Sequence, residues 1–460
     1  MTHFQFPYIS RCKVRKPSEP KAIRIFKKLK RNALFCLLGI LLTYSMQSFG
    51  QNRVPGVEDT VKLDIQAAEQ RFISQDLALI AAKYDVDIAK SNILQAKLWY
   101  NPNLSYGQTL YNYNTHKFFD LSNNDNGTSN GEWNVQLQQL ISYAGRYTNL
   151  VKLNKIDAER AEFVFDEVIR TLKLEMYKDF STLYGDQQKA IIFHNQITAL
   201  DTLISSSRKQ LSLGVSSKND LVRLQAEIQD DRNQLLAIES ELQDNESDLK
   251  ILLHYPINNY LKVQSGPTNS GFQMPPLGDV LNTANQNRGD LKLSHKSVDY
   301  EVQNLKLQKS LAVPDLTVQG IYDRAGGAGY NYTGIGLSSD IPVFNRNQGQ
   351  VLAAKYQISK AQINDTLQSY TVQNQVQGAY FKVMNYKTHY DAIDKNYAAD
   401  LNELFNNAIK NFNQKRISLL DFLDQMRAYS SAEAGLIDMN TNYFNAIQNL
   451  NYQVGTSIIK

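Results

Sequence analysis

Cysteine, proline, glycine and long apolar runs are all scarce in this chain, and each scarcity narrows the range of possible functions. The 460 residues include two cysteines, 11 prolines and 23 glycines. Both cysteines, Cys12 and Cys36, precede residue 50, so the rest of the chain offers no disulfide, cysteine nucleophile or thiolate metal site. Few prolines and glycines favour long helices over a glycine-punctuated α/β enzyme.

Positive charge is concentrated at the start of the chain. Ten of the 49 basic residues, but only one of the 45 acidic residues, lie in the first 31 positions. The remainder has a small acidic excess, which argues against a nucleic-acid partner. The basic segment leads into ten apolar residues, 33–42, too few to span a bilayer. Together these features predict a secretory signal peptide over residues 1–50, cleaved after Gly50.

No other apolar run reaches the roughly 18 residues of a membrane-spanning helix. If the chain crosses a bilayer, it must therefore do so as a closed β-barrel, because an open sheet edge cannot be hydrogen-bonded in lipid.

Three motifs recur in the same order in the two halves of the chain, which indicates an internal repeat. The matching segments are 101–104 with 313–316, 140–146 with 340–346, and 217–223 with 418–424. A signal peptide, 1–50, is followed by a first repeat, 51–256, containing a helix (57–100), a β-hairpin (102–141) and a long helical hairpin (146–254). A linker, 257–289, carries a short lateral helix, and the second repeat, 290–460, contains a helix, a β-hairpin (314–342) and a long helical hairpin (345–455).

The predicted strands alternate apolar and polar residues, as in Trp133, Val135 and Leu137 with glutamines and asparagine between them. Their predicted bounds are 104–113, 133–138, 316–322 and 332–339, and the second hairpin turns through the glycine-rich loop 325–329. Such two-faced strands suit a membrane barrel, although a small soluble sheet would show the same alternation. Aromatic residues crowd the strand ends, as in membrane girdles: Tyr100, Tyr106, Tyr111, Tyr113, Trp133, Tyr143, Tyr322, Tyr330 and Tyr332.

Long helices fill most of the remaining sequence. Residues 146–213 contain no proline and one glycine, enough for a helix of roughly 100 Å. Residues 345–413 are similarly uninterrupted. From residue 221, apolar residues follow a three-four spacing that only Asp231 and Asn245 interrupt, as in a coiled coil.

Four strands per chain cannot close a barrel, so the chain must oligomerise if these strands enter a membrane. Three copies would supply twelve strands and twelve long helices, but the residues alone do not choose three copies over two or four.

Four segments resemble the TolC outer-membrane efflux family: the strand entry at 101–104, the strand exit at 341–346, the helical turn at 411–424 and its shorter echo at 213–220. The resemblance covers roughly residues 59–455. It implies a mainly α fold with transmembrane β structure, in which each chain contributes four strands to a trimeric 12-stranded β-barrel continued by an antiparallel coiled-coil tunnel. It further implies a homotrimer in the outer membrane of a Gram-negative bacterium, with a large periplasmic portion, a periplasmic adaptor and an inner-membrane transporter as partners.

The resemblance also implies functional residues at the two helical turns. Asp421 and Asp424 match the carboxylates that ring the periplasmic aperture of the family, and their spacing puts them on one helix face. Asp421 is equally explained as a helix-capping residue, because Ser418-x-x-Asp421 is a capping-box pattern. The predicted adaptor-docking and tip residues are Leu213, Gly214, Val215, Ser216, Asp220, Arg416, Ile417 and Ser418. Arg416 stands one residue out of register with the family's tip arginine, which ties neighbouring hairpins together.

The sequence gives little support to an enzyme. Five histidines beyond residue 50 are dispersed and none has metal-ligand spacing to another, so we expect no metal site and no cofactor. The leading hypothesis is a passive exit duct for a tripartite efflux or type I secretion system. A periplasmic coiled-coil tether without a conduit is the alternative, but a tether has no need for two-faced strands of membrane length.

Overall fold

The computed structural model describes residues 59–127, 129–266, 272–325, 330–394 and 396–459. The predicted signal peptide and most of the glycine-rich loop 325–329 lie outside these residues. The first half contains, in order, β1 (Asp59–Leu63), α1 (Ile65–Gln75), α2 (Leu77–Ala96), β2 (Asn103–Gln108), β3 (Tyr111–Asn112), β4 (Lys117–Phe118), β5 (Trp133–Ile141), α3 (Arg146–Ser212), α4 (Lys218–Leu253) and β6 (Asn259–Val263). The second half contains α5 (Leu277–Asn287), α6 (Gly289–Leu311), β7 (Leu316–Arg324), β8 (Tyr332–Ser338), α7 (Gln348–Asp391), α8 (Tyr397–Asn413) and α9 (Leu419–Val454). The prediction of a mainly helical chain with a small number of strands is confirmed.

Helices α3 and α4, of 67 and 36 residues, form an antiparallel hairpin whose apolar seam is interrupted at two polar layers. Asn245 donates from its side-chain amide to Asp186 Oδ2 at 2.8 Å, and Gln196 donates to Asp231 Oδ1 at 3.2 Å. Polar pairs inside a coiled-coil seam fix its register, because any slip would leave them buried without partners.

The second long helix is broken, contrary to the uninterrupted helix expected over 345–413. Helix α7 ends at Asp391 and α8 begins at Tyr397. The Asp394 carboxylate accepts a hydrogen bond from the backbone N–H of Asn396 at 2.8 Å. Aspartate side chains that bond locally in this way compete with the helical hydrogen-bond ladder, so a break forms without proline or glycine.

The chain before the first β-hairpin is not the single helix expected from residue 57 to 100. Its first segment is β1, which pairs in parallel with β6, a strand that the sequence analysis placed in a linker. The Gln187 side chain, on α3, donates to the carbonyl of Leu261 at 2.6 Å and accepts from the N–H of Val263 at 3.1 Å. These two bonds satisfy backbone groups of β6 that do not pair with β1. Asp76 then caps α2 by accepting from Leu79 N–H at 2.7 Å, which separates α2 from α1.

The strand expected over 104–113 ends at Gln108. Tyr111–Asn112 pairs instead with Lys117–Phe118 in a small separate hairpin. The Asn112 side chain accepts hydrogen bonds from the backbone N–H groups of Asn114 and Thr115 at 2.8 and 3.2 Å. Because Tyr111 and Asn112 take part in this local turn and hairpin, they do not extend β2.

Within the part of the chain that the structure describes, no helix combines the length and the apolar character needed to cross a membrane.

Candidate functional site: a two-faced sheet and two helical turns

A four-stranded antiparallel sheet has the order β2-β5-β7-β8, so the two predicted hairpins form one sheet joined through β5 and β7. Successive side chains of a strand point to opposite faces, and the register fixes which residues share a face. Leu104 pairs with Leu137, for example, and Val318 pairs with Leu337.

One face of this sheet is mostly apolar, and the described part of the chain leaves much of it exposed. Ile335 and Leu337 are 86% and 68% exposed. The same register also places Gln108, Gln139, Arg324 and Thr333 on this face. Its apolar members are Leu104, Tyr106, Trp133, Val135, Leu137, Ile141, Leu316, Val318, Tyr322, Ile335 and Leu337. Trp133 packs against Tyr106 and Tyr322 at ring-centroid distances of 6.3 and 5.1 Å, so aromatic rings cluster at one end of this face.

The opposite face is mostly polar, although Leu140, Ile321 and Tyr332 also lie on it. Gln319 accepts hydrogen bonds from Gln136 at 2.7 Å and from Gln138 at 3.3 Å across the β5–β7 pair. The polar members of this face are Asn103, Ser105, Asn134, Gln136, Gln138, Thr317, Gln319, Asp323 and Ser338. A sheet with one apolar and one polar face is suited to separate an apolar medium from an aqueous one.

Strands β2 and β8 form the two edges of this sheet, and each has a strand partner on one side only among the described residues. Unpaired edges expose rows of backbone N–H and C=O groups that can pair with another chain.

Next to the sheet, the Arg146 guanidinium at the start of α3 pairs with the Asp315 carboxylate, just before β7. This ion pair joins the sheet to the helices.

The first helical turn exposes the predicted tip residues between α3 and α4. Leu213 and Val215 are 77% and 63% exposed, and Gly214 has a φ of +71°, a value that glycine adopts without steric cost. Ser217 caps α4 by accepting from the N–H of Asn219 at 3.1 Å. The cap at 217–220 is therefore formed with the N–H of Asn219. Asp220 lies half-buried in the first turn of α4.

The second turn, between α8 and α9, carries a complete capping box. Ser418 Oγ accepts from the N–H of Asp421 at 3.1 Å, and Asp421 Oδ2 accepts from the N–H of Ser418 at 3.3 Å and from its hydroxyl at 2.7 Å. Asp421 therefore has the capping role that its spacing suggested. Asp424 and Arg416 are exposed, and Ile417 is half-buried against the apolar cluster beneath the turn.

The two turns lie side by side because the helices that carry them share one core. Leu200, Leu224 and Ile228 of the first hairpin pack with Phe422 and Met426 of the second. All predicted tip residues are thereby brought to the same end of the helical part of the chain.

An ion pair that the sequence did not indicate joins the two hairpins near this end. Arg427 of α9 donates from Nε to both carboxylate oxygens of Glu227 in α4, at 2.8 and 3.0 Å. Glu227 is buried, whereas most of the Arg427 side chain is exposed. Nothing in the spacing of α4 marked Glu227, because a single glutamate beside an apolar seam resembles any solvated position.

Comparison with known proteins identifies the fold. No family model matches the chain, and no curated protein sequence matches it. The solved structures that resemble it include the outer-membrane channel CmeC of Campylobacter jejuni, with 13% identity, a TM-score of 0.66 and coverage of 88% of this chain and 92% of that one. The outer-membrane protein VceC of Vibrio cholerae has 13% identity, a TM-score of 0.65 and coverage of 86% and 96%. The MtrE outer-membrane channel of Neisseria gonorrhoeae, in its open state, has 14% identity, a TM-score of 0.62 and coverage of 85% and 89%.

The chain therefore has the fold of the TolC-type outer-membrane efflux channels. The family resemblance predicted from four short segments is confirmed at the level of the fold.

Removing the Asp421 carboxylate should fray the start of α9, whereas removing that of Asp424 should not. Asp421 is the N3 residue of the capping box, and its carboxylate accepts the bond from the backbone N–H of Ser418, the N-cap residue. Amide hydrogen exchange over residues 419–424 should therefore accelerate in Asp421→Ala and remain unchanged in Asp424→Ala. Equal acceleration in both variants would show that the cap does not hold this helix end.

Proposed function

We propose that this protein is an outer-membrane exit duct that passively conducts substrates delivered by an inner-membrane transporter through a periplasmic adaptor. The observation that carries the proposal is the four-stranded sheet with one exposed apolar face, one polar face and two unpaired edges. The resemblance in fold to outer-membrane channels supports it. Tripartite efflux and type I secretion are both compatible with such a duct, and we propose neither a catalytic role nor a cofactor for it.

Closure of the sheet requires further copies of the chain. In a bilayer the free edges of β2 and β8 must pair, because lipid offers no hydrogen-bond donors or acceptors. We propose that β8 of one copy pairs with β2 of the next, and that three copies form a 12-stranded barrel, as the family resemblance implies. The apolar face would then contact outer-membrane lipid and the polar face would line the lumen.

Exposed apolar stripes on two helices support contacts between copies. Their members recur at helical spacing and are each 42% to 68% exposed in the single chain: Leu77, Ile80, Tyr84, Ile88 and Leu94 on α2, and Leu352, Tyr356, Ile363, Leu367 and Tyr370 on α7. Stripes of this kind on a soluble surface are unfavourable unless another surface covers them. In the proposed trimer, neighbouring copies cover them and close the helices into a tunnel.

The tunnel would extend into the periplasm, with its entrance at the two helical turns. A helix of 67 residues, such as α3, spans roughly 100 Å. We propose that Asp421 and Asp424 from three copies surround this aperture and favour cations over anions, as acidic rings do in other pores. The cap bonds from Ser418 hold the Asp421 carboxylate at the turn.

The residues at and beside the two turns are proposed to dock the periplasmic adaptor. They are Leu213, Gly214, Val215, Ser216, Asp220, Arg416, Ile417 and Ser418. Exposed leucine and valine at the end of a helical hairpin offer apolar contacts that a partner can bury.

A charge placed on the apolar face of β8 should prevent assembly in the membrane, whereas the same charge on the polar face should be tolerated. Arginine at the middle of a bilayer costs about 2–4 kcal/mol on the lipid face of a barrel. Ile335 lies at the middle of β8 on the apolar face, and Gln319 lies at a similar level of β7 on the polar face. Ile335→Arg should therefore lower the yield of oligomer extracted from outer membranes, and Gln319→Arg should not. Normal yield of Ile335→Arg would support the periplasmic tether instead.

Neutralising the proposed aperture should weaken cation selectivity without unfolding the turn. Asparagine can retain the acceptor of the cap, so Asp421→Asn with Asp424→Asn removes charge and little else. In planar bilayers the reversal potential under a salt gradient should move toward the value for a non-selective pore. Asp299→Asn removes an exposed carboxylate from α6, away from the turns, and serves as the control. Unchanged selectivity of the double variant would rule out the aperture assignment.

A further inference from the structure

The polar pair formed by Gln196 and Asp231 differs from the other polar layer of the same hairpin in being incompletely hydrogen-bonded. In the Asn245 layer, Asp186 accepts from Asn245 at 2.8 Å through Oδ2 and contacts Lys189 Nζ at 3.2 Å through Oδ1. Both oxygens of that carboxylate therefore have partners. In the Asp231 layer only Oδ1 has a partner, the Gln196 side-chain amide.

Two acceptors in the Asp231 layer lack a donor within the described chain. Asp231 Oδ2 and Gln196 Oε1 are both buried and neither accepts a hydrogen bond there. Gln196 is fully buried and Asp231 is 2% exposed. Leaving such groups unpaired costs about 1–3 kcal/mol each, and more for a charged group.

A single proton on Asp231 would remove this deficit. An ionised carboxylate is an acceptor only, whereas a carboxylic acid has an O–H donor as well. A protonated Asp231 can accept from the Gln196 N–H and donate to the Gln196 carbonyl oxygen, so that acid and amide satisfy each other reciprocally. The same proton removes an uncompensated charge from the seam.

We infer that Asp231 is a proton-binding site, a carboxylic acid that donates to the Gln196 amide oxygen, and that release of this proton to solvent loosens the α3–α4 hairpin near its turn.

The charged surroundings of Asp231 favour the protonated form. Glu227 and Asp230 lie on the same helix, Arg427 approaches from α9, and Arg427 is already engaged by Glu227. Burial, reinforced by the carboxylates of Glu227 and Asp230, raises the pKa of Asp231 to about 7. The nearest ion pair that links α3 and α4 is Arg232 with Asp201, and His194 Nε2 lies 3.5 Å from Glu239 Oε1. Helix α8 contributes apolar side chains, Phe405, Ala408, Ile409 and Phe412, to the adjoining cluster.

The direction of the pH dependence follows from the raised pKa. The folded hairpin binds the proton more tightly than the unfolded chain, whose aspartate pKa is about 3.9. The stabilising contribution of protonated Asp231 is therefore fully present below about pH 4. It declines as the pH rises to about 7 and is absent above that value.

This site lies close to the proposed entrance of the duct. Asp231 is roughly 20 Å along α4 from its first residue, and the Glu227–Arg427 pair that joins the hairpins lies one helical turn nearer the tip. Acidification would hold this end of the helices packed, and a neutral or alkaline medium would release it. Only this consequence for a duct rests on the proposed function.

The experiment uses the whole protein purified in detergent and compares Asp231→Asn with Asp230→Asn. Asparagine at 231 can donate to Gln196 permanently, whereas Asp230 is an exposed carboxylate on the next residue and serves as the matched control. In infrared difference spectra between about pH 5.5 and about pH 8.5, on either side of the site's pKa, a protonated-carboxyl band should appear in the wild type and in Asp230→Asn. Burial also raises the pKa of Asp179 to about 7, so the Asp231 component is the part of the band that is lost in Asp231→Asn while the Asp179 component remains. The Asp231 component should move to higher wavenumber in Gln196→Met, which removes the amide partner.

Amide hydrogen exchange, corrected for its intrinsic pH dependence, provides the second readout. Segments 190–204 and 224–235 should be equally protected in the wild type and Asp231→Asn under acidic conditions, and better protected in Asp231→Asn under alkaline conditions. Asp230→Asn should keep the pH-dependent loss of protection seen in the wild type, displaced to lower pH because the variant removes a carboxylate that raises the pKa of Asp231. No band assignable to Asp231, or parallel exchange profiles, would overturn the inference. Neither readout requires that the protein conduct anything, so both outcomes are independent of the proposed duct.

Discussion

The unpaired backbone groups at the two edges of the four-stranded sheet constrain the environment and the assembly that this protein can adopt. A sheet that exposes leucine and isoleucine on one face and glutamine on the other is matched to a boundary between lipid and water. At such a boundary, an open edge is not tolerated, because its backbone groups find no partners in lipid. In the membrane placement that we propose, a single chain would be incomplete. The neighbouring copies that pair its edges would also cover the apolar stripes that helices α2 and α7 expose in the described part of the chain. One constraint on backbone hydrogen bonding thus connects the strands, the helix surfaces and the proposed assembly.

The helical part follows a second rule, in which polar residues inside apolar seams set how the helices align. Asn245 with Asp186 fixes the first hairpin in register, and Glu227 with Arg427 ties it to the second hairpin. Long coiled coils would otherwise slip easily, since leucine packs acceptably in several registers. The Gln196–Asp231 layer performs the same alignment but does so completely only when Asp231 is protonated. The alignment of the turns, where we place the entrance of the duct, is consequently sensitive to pH.

The periodic features of the chain could be predicted from the sequence. Features that depend on single local hydrogen bonds, or on partners distant in sequence, could not. The alternation around Val135 and the three-four spacing beyond residue 221 are repeated signals, and they predict strands and a helical seam correctly. The break between α7 and α8 depends on one aspartate, Asp394, and β1 depends on pairing with a strand distant in sequence. At the turns, the spacing was equally consistent with Asp421 as a helix cap and as an aperture residue. The structure shows the capping role, and the aperture role is a proposal. Glu227 was missed because its partner, Arg427, belongs to another hairpin.

The most direct test of the proposed assembly is the mass of the mature protein, extracted in detergent and measured by light scattering with the detergent contribution subtracted. We predict a mass of three chains, the number that supplies twelve strands and allows each free β8 edge to pair with the β2 edge of the next copy. A stable monomer that remains in solution without detergent would contradict it. The exposed apolar face would then have to be covered by something other than lipid, and the coiled-coil tether would be the better description.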